Sequence, residues 1–110
     1  MAESAETGEQ HALLVHLKGS GLPDDVYENC DLATLEERLE THLAGDLRGE
    51  YDGNEFGPEE VTLFFYGTDA EVLFALVRPV LDAYPLCRGA RVELRFGGPG
   101  AETKEDVLVG

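Results

Sequence analysis

Three histidines are the first candidates for catalysis or metal binding, and their positions keep them apart. His11 and His16 fall on opposite faces of one predicted strand, and His42 falls on a predicted helix. A metal ligand or a general base needs a partner group within reach, and no pair of these histidines meets that requirement. His16, expected near Tyr66 and Glu93, is the best candidate base, but a strand histidine is more often a packing residue. We therefore predict no catalytic residue.

The two cysteines, Cys30 and Cys87, belong to no CxxC motif. Because a chain of 110 residues folds without crosslinks, we expect both thiols to stay reduced. The sequence contains no Gly-x-Ser-x-Gly elbow, no Walker A motif and no dinucleotide fingerprint. An enzyme is therefore the less favoured class, and a binding protein the more favoured one.

The segment Asp52-Gly-Asn-Glu-Phe-Gly57 begins like a calcium-binding EF-hand loop. Asp52, Asn54 and Gly57 match its first, third and sixth positions. Phe56 and Leu63 occupy the fifth and twelfth positions, where the loop requires oxygen ligands. The alternative is a hairpin whose glycines permit the turn and whose acidic residues are simply solvated.

Acidic residues of the predicted hairpin and of the first loop are expected at the same end of the fold. Hard cations such as Ca²⁺ and Mg²⁺ bind several oxygen ligands, so this acidic rim is a candidate cation site. Its candidate ligands are Asp24, Asp25, Asp52, Asn54 and Glu55.

The net charge is −15, from 23 acidic against 8 basic residues, although 43% of the chain is apolar. This apolar content is ordinary for one globular domain. The negative charge repels nucleic acid and anionic membranes, and it favours cations or a basic protein partner. It is equally compatible with a role in solubility alone. No apolar run reaches the ~20 residues of a membrane span, and residues 1–10 are acidic where a signal peptide is basic, so we expect a cytoplasmic protein.

The hydrophobic pattern predicts strands at residues 11–18, 47–54, 61–66 and 91–96, with a competing tight turn at Asp52-Gly53. Two helices are predicted, one from the N-cap Asp31 to the stop at Gly45, and one from about residue 68 to Tyr84. Pro79 is expected to kink the second helix near Ala75 to Arg78. Residues 19–31 are expected to form a loop. Residues 1–10 are an acidic tail, 11–97 the domain, and 98–110 a second tail that allows a short edge strand.

This β-α-β-β-α-β order predicts an α+β, ferredoxin-like sandwich. Its four-stranded antiparallel sheet has the order 4-1-3-2, with both helices on one face. The other face is left uncovered, and the alternation of the strands assigns an aromatic and apolar stripe to it. Its predicted residues are Leu14, His16, Thr62, Phe64, Tyr66 and Arg95.

An uncovered apolar stripe is typical of a protein interface, and the leading hypothesis is a homodimer through this face. The first alternative is an acidic inhibitor or immunity-type protein that masks a basic partner, and the second is a cation-dependent enzyme or sensor that uses the acidic rim. A third is a tail beyond Gly97 that folds back over the stripe. RNA-recognition modules also carry aromatics on such strands, but their Lys/Arg-Gly-Phe/Tyr signature is missing here.

Residues 49–57, the strand at 61–67, and Pro85-Leu-Cys-Arg-Gly-Ala-Arg-Val-Glu-Leu-Arg95 resemble small uncharacterised bacterial proteins of one domain. The resemblance covers roughly residues 11–97. Because these relatives have no assigned activity, the resemblance implies a single compact domain and transfers no catalytic residue.

Overall fold

The protein is an α+β domain with one antiparallel sheet, seen in a computed structural model that describes residues 10–98 and 100–108. Within these residues, the strands are β1 (His11–Lys18), β2 (Gly49–Phe56), β3 (Glu60–Gly67), β4 (Arg91–Arg95) and β5 (Thr103–Val107). The helices are α1 (Asp24–Asn29), α2 (Leu32–Leu43) and α3 (Ala70–Ala83), with a short 3-10 helix at Pro85–Cys87. Most of the expected acidic tail, residues 1–9, lies outside the described residues.

The central strand β1 pairs antiparallel with β3 on one side and with β4 on the other, in the sheet order β2-β3-β1-β4-β5. Its residues Leu13, Val15 and Leu17 are almost completely buried. Leu13 lies level with Phe65 of β3, and Val15 lies level with Val92 of β4. Since directly paired residues share a face, these side chains form the floor of the core on which α2 and α3 pack.

Helix α3 begins with two acceptors for its free backbone N–H groups. The Asp69 carboxylate accepts from the N–H groups of Glu71 at 2.9 Å and Val72 at 3.3 Å. His11 Nδ1 accepts the Ala70 N–H at 3.0 Å, which ties the start of β1 to the start of the helix. The N-cap is therefore Asp69, and the helix begins at Ala70, close to the predicted start at about residue 68.

Pro79 lies inside α3, and the helix continues past it to Ala83. Proline removes one N–H from the helix ladder, which leaves a carbonyl of the preceding turn without its usual donor. That carbonyl is the one of Ala75, four residues before Pro79. One residue further along, the Leu76 carbonyl is within hydrogen-bond distance of His42 Nε2 of α2, at 2.7 Å. Pro79 does not split the helix, since α3 runs from Ala70 to Ala83, and His42 links the two long helices near the proline.

The segment predicted as a loop at residues 19–31 contains the six-residue helix α1. Its side chains are mostly exposed, and only Val26 among them is buried. With one buried residue in about two turns, apolar residues do not recur at helical spacing here, so the hydrophobic pattern did not reveal this helix.

The hairpin of β2 and β3 turns after Phe56, and the competing tight turn at Asp52-Gly53 is wrong. A register shift lies between Tyr51 and Gly53, which makes Asp52 the extra residue of a β-bulge. Gly53 has a φ of +123°, a conformation that a residue with a side chain rarely adopts. The Asp-Gly pair therefore bends the strand instead of reversing it.

The sheet has five strands, so the prediction of four is wrong. Residues 103–107 of the expected tail pair with β4 along its whole length, from Arg95 opposite Thr103 to Arg91 opposite Val107. Leu108 follows this strand, exchanges backbone hydrogen bonds of 2.9 Å with Gly89 and Ala90, and is only 2% exposed. One buried side chain therefore anchors a strand whose own residues are all exposed.

Among the described residues, none of the helices combines the length and the apolar character that crossing a bilayer would require.

If Leu108 anchors β5, Leu108→Ala should lower the free energy of unfolding by about 2–4 kcal/mol, because it removes a fully buried leucine from the core. Val107→Ala is the matched control, since Val107 is the adjacent residue and is 53% exposed. Its cost should stay within about 0.5 kcal/mol. Urea unfolding of both variants measures the difference, and equal costs would contradict the role of Leu108 as the anchor of β5.

Candidate functional site: the open face of the sheet

One face of the sheet carries no helix, and its side chains take no part in the core cluster among the described residues. Register pairs across the five strands define this open face, because directly paired residues point the same way. Its central residues are Leu14, His16, Thr62, Phe64 and Tyr66, as the sequence predicted. Its outer residues are Glu50, Gly53, Glu55, Glu60, Lys18, Arg91, Glu93, Arg95, Thr103, Glu105 and Val107.

The middle of the open face is apolar. Leu14 of β1 lies directly beside Phe64 of β3, and one pair further along, Tyr66 lies beside Ala12. Leu14, Phe64 and Tyr66 are half-buried by their neighbours in the sheet, and Ala12 is 1% exposed. The neighbouring side chains therefore cover the small Ala12 almost completely.

His16 lies next to this apolar centre and is surrounded by hydrogen-bonding groups. Its Nδ1 lies 2.9 Å from Thr62 Oγ1 and 3.3 Å from Glu60 Oε1. Its Nε2 lies 3.5 Å from Glu93 Oε1. The imidazole is only 10% exposed, so both ring nitrogens are occupied by groups of the same sheet. This arrangement holds His16 in place and offers no free nitrogen to a substrate.

The two arginines of the open face are both on β4. Arg91 lies 3.1 Å from Glu60 and 3.8 Å from Glu105, in ion pairs whose members are all at least 40% exposed. Arg95 donates from Nε to the Gly97 carbonyl at 3.2 Å. Two of the three cationic groups of this face therefore lie on β4, next to the centre, and the third, Lys18, lies at the end of β1.

Charge is more evenly balanced on the open face than over the whole protein. Against a chain total of −15, the face carries the carboxylates of Glu50, Glu55, Glu60, Glu93 and Glu105 and the cationic groups of Lys18, Arg91 and Arg95. Repulsion between two copies is therefore weaker here than at a surface of average composition.

The described part of the C-terminal segment leaves the open face uncovered. After Gly97 the chain turns back and continues the sheet at its edge as β5. The alternative in which this segment folds over the apolar stripe is therefore wrong for residues 97–98 and 100–108.

The candidate cation ligands point in different directions. Asn54 pairs with Leu63 on the helix-covered face, and its amide donates to Glu36 Oε2 at 2.6 Å. Glu55 pairs with Thr62 and so belongs to the open face. Neighbouring strand residues alternate between faces, so these two oxygen donors cannot bind one ion.

The other acidic candidates are also separated. Asp24 and Asp25 lie in the first turn of α1. Asp52, on the bulge, borders a cavity of about 450 Å³ together with three glutamates of α2, namely Glu36, Glu37 and Glu40. Within residues 10–98 and 100–108, no three His, Cys, Asp or Glu side chains are grouped so as to hold a metal ion.

The two thiols differ in environment. Cys87 is buried in the core, and this burial raises the pKa of its thiol to about 12. Cys30 is partly exposed at the end of α1. Because Cys87 lies on the helix side of the sheet and His16 on the open face, they form no nucleophile and base pair.

No family model matches the chain, and neither a curated protein nor a solved structure matches it significantly.

Sequence reasoning did not identify three groups of open-face residues. Arg91 continues the alternation of Glu93 and Arg95 and could have been read from the sequence. Glu50 and Glu55 could not both have been assigned to this face from the sequence, because the bulge at Asp52 shifts the alternation of β2 by one residue. The residues of β5 show no apolar alternation that would mark a strand.

The two cysteines should react at very different rates with a thiol reagent such as Ellman's reagent at pH 8. We expect Cys30 to react in the native protein and Cys87 to react only on unfolding, because the thiolate is the reactive form and burial disfavours it. Cys30→Ser should remove the fast reaction. Rapid reaction of two thiols in the native wild-type protein would contradict the buried position of Cys87.

Tyr51 should make unfolding pH-dependent in the alkaline range. Its ring is partly buried and its hydroxyl donates to Glu36 Oε2 at 2.5 Å, so burial and the neighbouring carboxylate raise its pKa above the ordinary 10.0. The folded protein therefore keeps this proton where the unfolded chain loses it. Stability is intact below pH 10 and falls as the pH rises above it.

In Tyr51→Phe this loss of stability should be smaller, and Tyr27→Phe provides the control. Urea unfolding at several pH values between about 9 and 11 gives, for each protein, the slope of the free energy of unfolding against pH. An unchanged slope in Tyr51→Phe would contradict the assigned hydrogen bond.

Proposed function

We propose that this protein is a non-catalytic interaction module that self-associates through its open face. The observation that carries the proposal is the uncovered, half-buried apolar centre formed by Leu14, Phe64 and Tyr66. A second sheet face placed over this centre would remove these side chains from water, at about 25 cal/mol per Å² of apolar surface.

The fold proposed for this module is ferredoxin-like with one added edge strand. Read from β4, the first four strands have the order 4-1-3-2, and every neighbouring pair is antiparallel. The two long helices α2 and α3 pack on the same side of this sheet. In this proposal β5 widens the open face beyond the four-stranded sheet that the sequence predicted.

The size of the open face favours a modest affinity. Five strands about 4.8 Å apart and five to eight residues long give a surface of roughly 20 by 25 Å, or about 500 Å² on each copy. Two such surfaces bury about 1,000 Å², which is at the lower end of specific interfaces. We therefore propose an assembly that dissociates at micromolar concentrations.

The proposed setting is the cytoplasm, away from nucleic acid and anionic membranes, which the net charge of −15 repels. His16 acts in this proposal as a fixed polar group beside the apolar centre, since its ring nitrogens lie against Thr62, Glu60 and Glu93.

Phe64→Glu should convert the dimer to a monomer, because it places a charge in the centre of the buried surface. Val72→Glu is the matched control, since it introduces the same charge at an apolar residue of α3 that is 39% exposed and lies on the helix side. Sedimentation equilibrium at 10–100 µM, a range chosen around the expected ~µM affinity, gives the molar mass, with 12.0 kDa as the monomer.

Circular dichroism establishes that each variant is folded, and Leu14→Lys provides a second test of the same face. A wild-type protein that is monomeric throughout this range contradicts the proposal. So does a wild-type dimer that persists in folded Phe64→Glu and Leu14→Lys.

A further inference from the structure

The charged residues that flank the apolar centre specify how a second copy would be placed on it. On one side, β2 presents Glu50 and Glu55 to the open face, and on the other, β4 presents Arg95 and Arg91. Resting on the proposed function, we infer that two copies stack about a two-fold axis that runs parallel to the strands between β1 and β3. Glu50 and Glu55 of each copy then pair with Arg95 and Arg91 of the other.

The positions of these residues in the sheet follow from the register. One row across the sheet contains Glu50, Tyr66, Ala12 and Arg95. Two residues further along β1, a second row contains Gly53, Phe64, Leu14 and Glu93. A third row contains Glu55, Thr62, His16 and Arg91.

A two-fold axis parallel to the strands keeps each row in place and exchanges its two ends. With the axis between β1 and β3, strand β2 of one copy lies over β4 of the other, and β3 lies over β1. Glu50 then faces Arg95 in the first row, and Glu55 faces Arg91 in the third.

The apolar residues fit the same arrangement. Tyr66 of one copy lies over Ala12 of the other, which places a large side chain opposite a small one. Phe64 lies over Leu14, so the two largest apolar contacts fall next to the axis. Gly53, which has no side chain, lies opposite Glu93 and leaves space for it.

The other simple two-fold arrangement brings like charges together. An axis perpendicular to the strands places β2 over β2 and β4 over β4, so that Glu50 faces Glu55 and Arg95 faces Arg91. It also places Glu93 against Glu93 of the second copy. Like charges at close range oppose association, so the distribution of charge selects the axis parallel to the strands.

The twist of the sheets and the existing ion pairs are compatible with these contacts. Stacked sheets are rotated by about 30°, which displaces residues on β2 and β4 by roughly 4 Å, within the reach of Glu and Arg side chains. Arg91 already pairs with Glu60 and Glu105, but these pairs are exposed to solvent and hold the guanidinium only weakly.

Charge reversal tests this placement directly. Glu55→Arg and Arg91→Glu, made separately, should each raise the dimer dissociation constant about tenfold, because each creates two like-charge contacts per dimer. The double variant Glu55→Arg/Arg91→Glu restores opposite charges across the interface. Its dissociation constant should return to within about threefold of wild type.

Glu71→Arg and Lys104→Glu are matched controls. These residues form an exposed ion pair of 3.2 Å between α3 and β5, away from the open face. They change the net charge of the chain by the same amounts as the two test variants, so they measure the effect of overall charge. Sedimentation equilibrium of all variants should show that the controls stay close to wild type.

Each outcome separates the two-fold arrangement from the proposed function. Loss of affinity in both single variants with recovery in the double variant supports the arrangement. If Phe64→Glu dissociates the dimer while the charge reversals act only as their controls do, the open face is the interface and this arrangement is wrong. The arrangement is also wrong if both single variants lose affinity and the double variant does not regain it. A monomeric wild-type protein overturns both proposals.

Discussion

The structure depends on the position of β1 at the centre of the sheet. This strand is hydrogen-bonded on both sides, so its side-chain alternation fixes the alternation of β3 and β4. A shift of one residue would expose Leu13 and Val15 and bury His16. The buried residues of β1 therefore determine both the composition of the core and the identity of the residues on the opposite face.

Most of this arrangement could be predicted from the sequence, because apolar residues recur at regular strand or helix spacing in the segments that form it. Strand β1 has the bounds that the pattern gave, and the leucines of α2 recur at helical spacing behind the N-cap Asp31. The aromatic centre of the open face follows from the alternation of β3, where Phe65 is buried and Phe64 and Tyr66 point away. These are long segments in which one face packs on a core.

Helix α1, strand β5 and the bulge of β2 show no such regular spacing of apolar residues. Helix α1 buries only Val26, and β5 is a strand of exposed residues that depends on Leu108 for its attachment. The bulge at Asp52 depends on backbone geometry at Gly53 and not on any apolar residue. Because the bulge decides which acidic residues of β2 share a face, the candidate cation site could not be judged from the sequence.

The edges of the sheet limit how the protein can aggregate. At one edge, β5 carries Lys104, Glu105 and Asp106 in succession, and at the other, the bulge interrupts the regular ladder of β2. Charges and bulges on edge strands discourage the addition of further strands from other molecules. In the proposed dimer, the apolar faces would therefore pair while both edges of the sheet discourage the growth of a fibril.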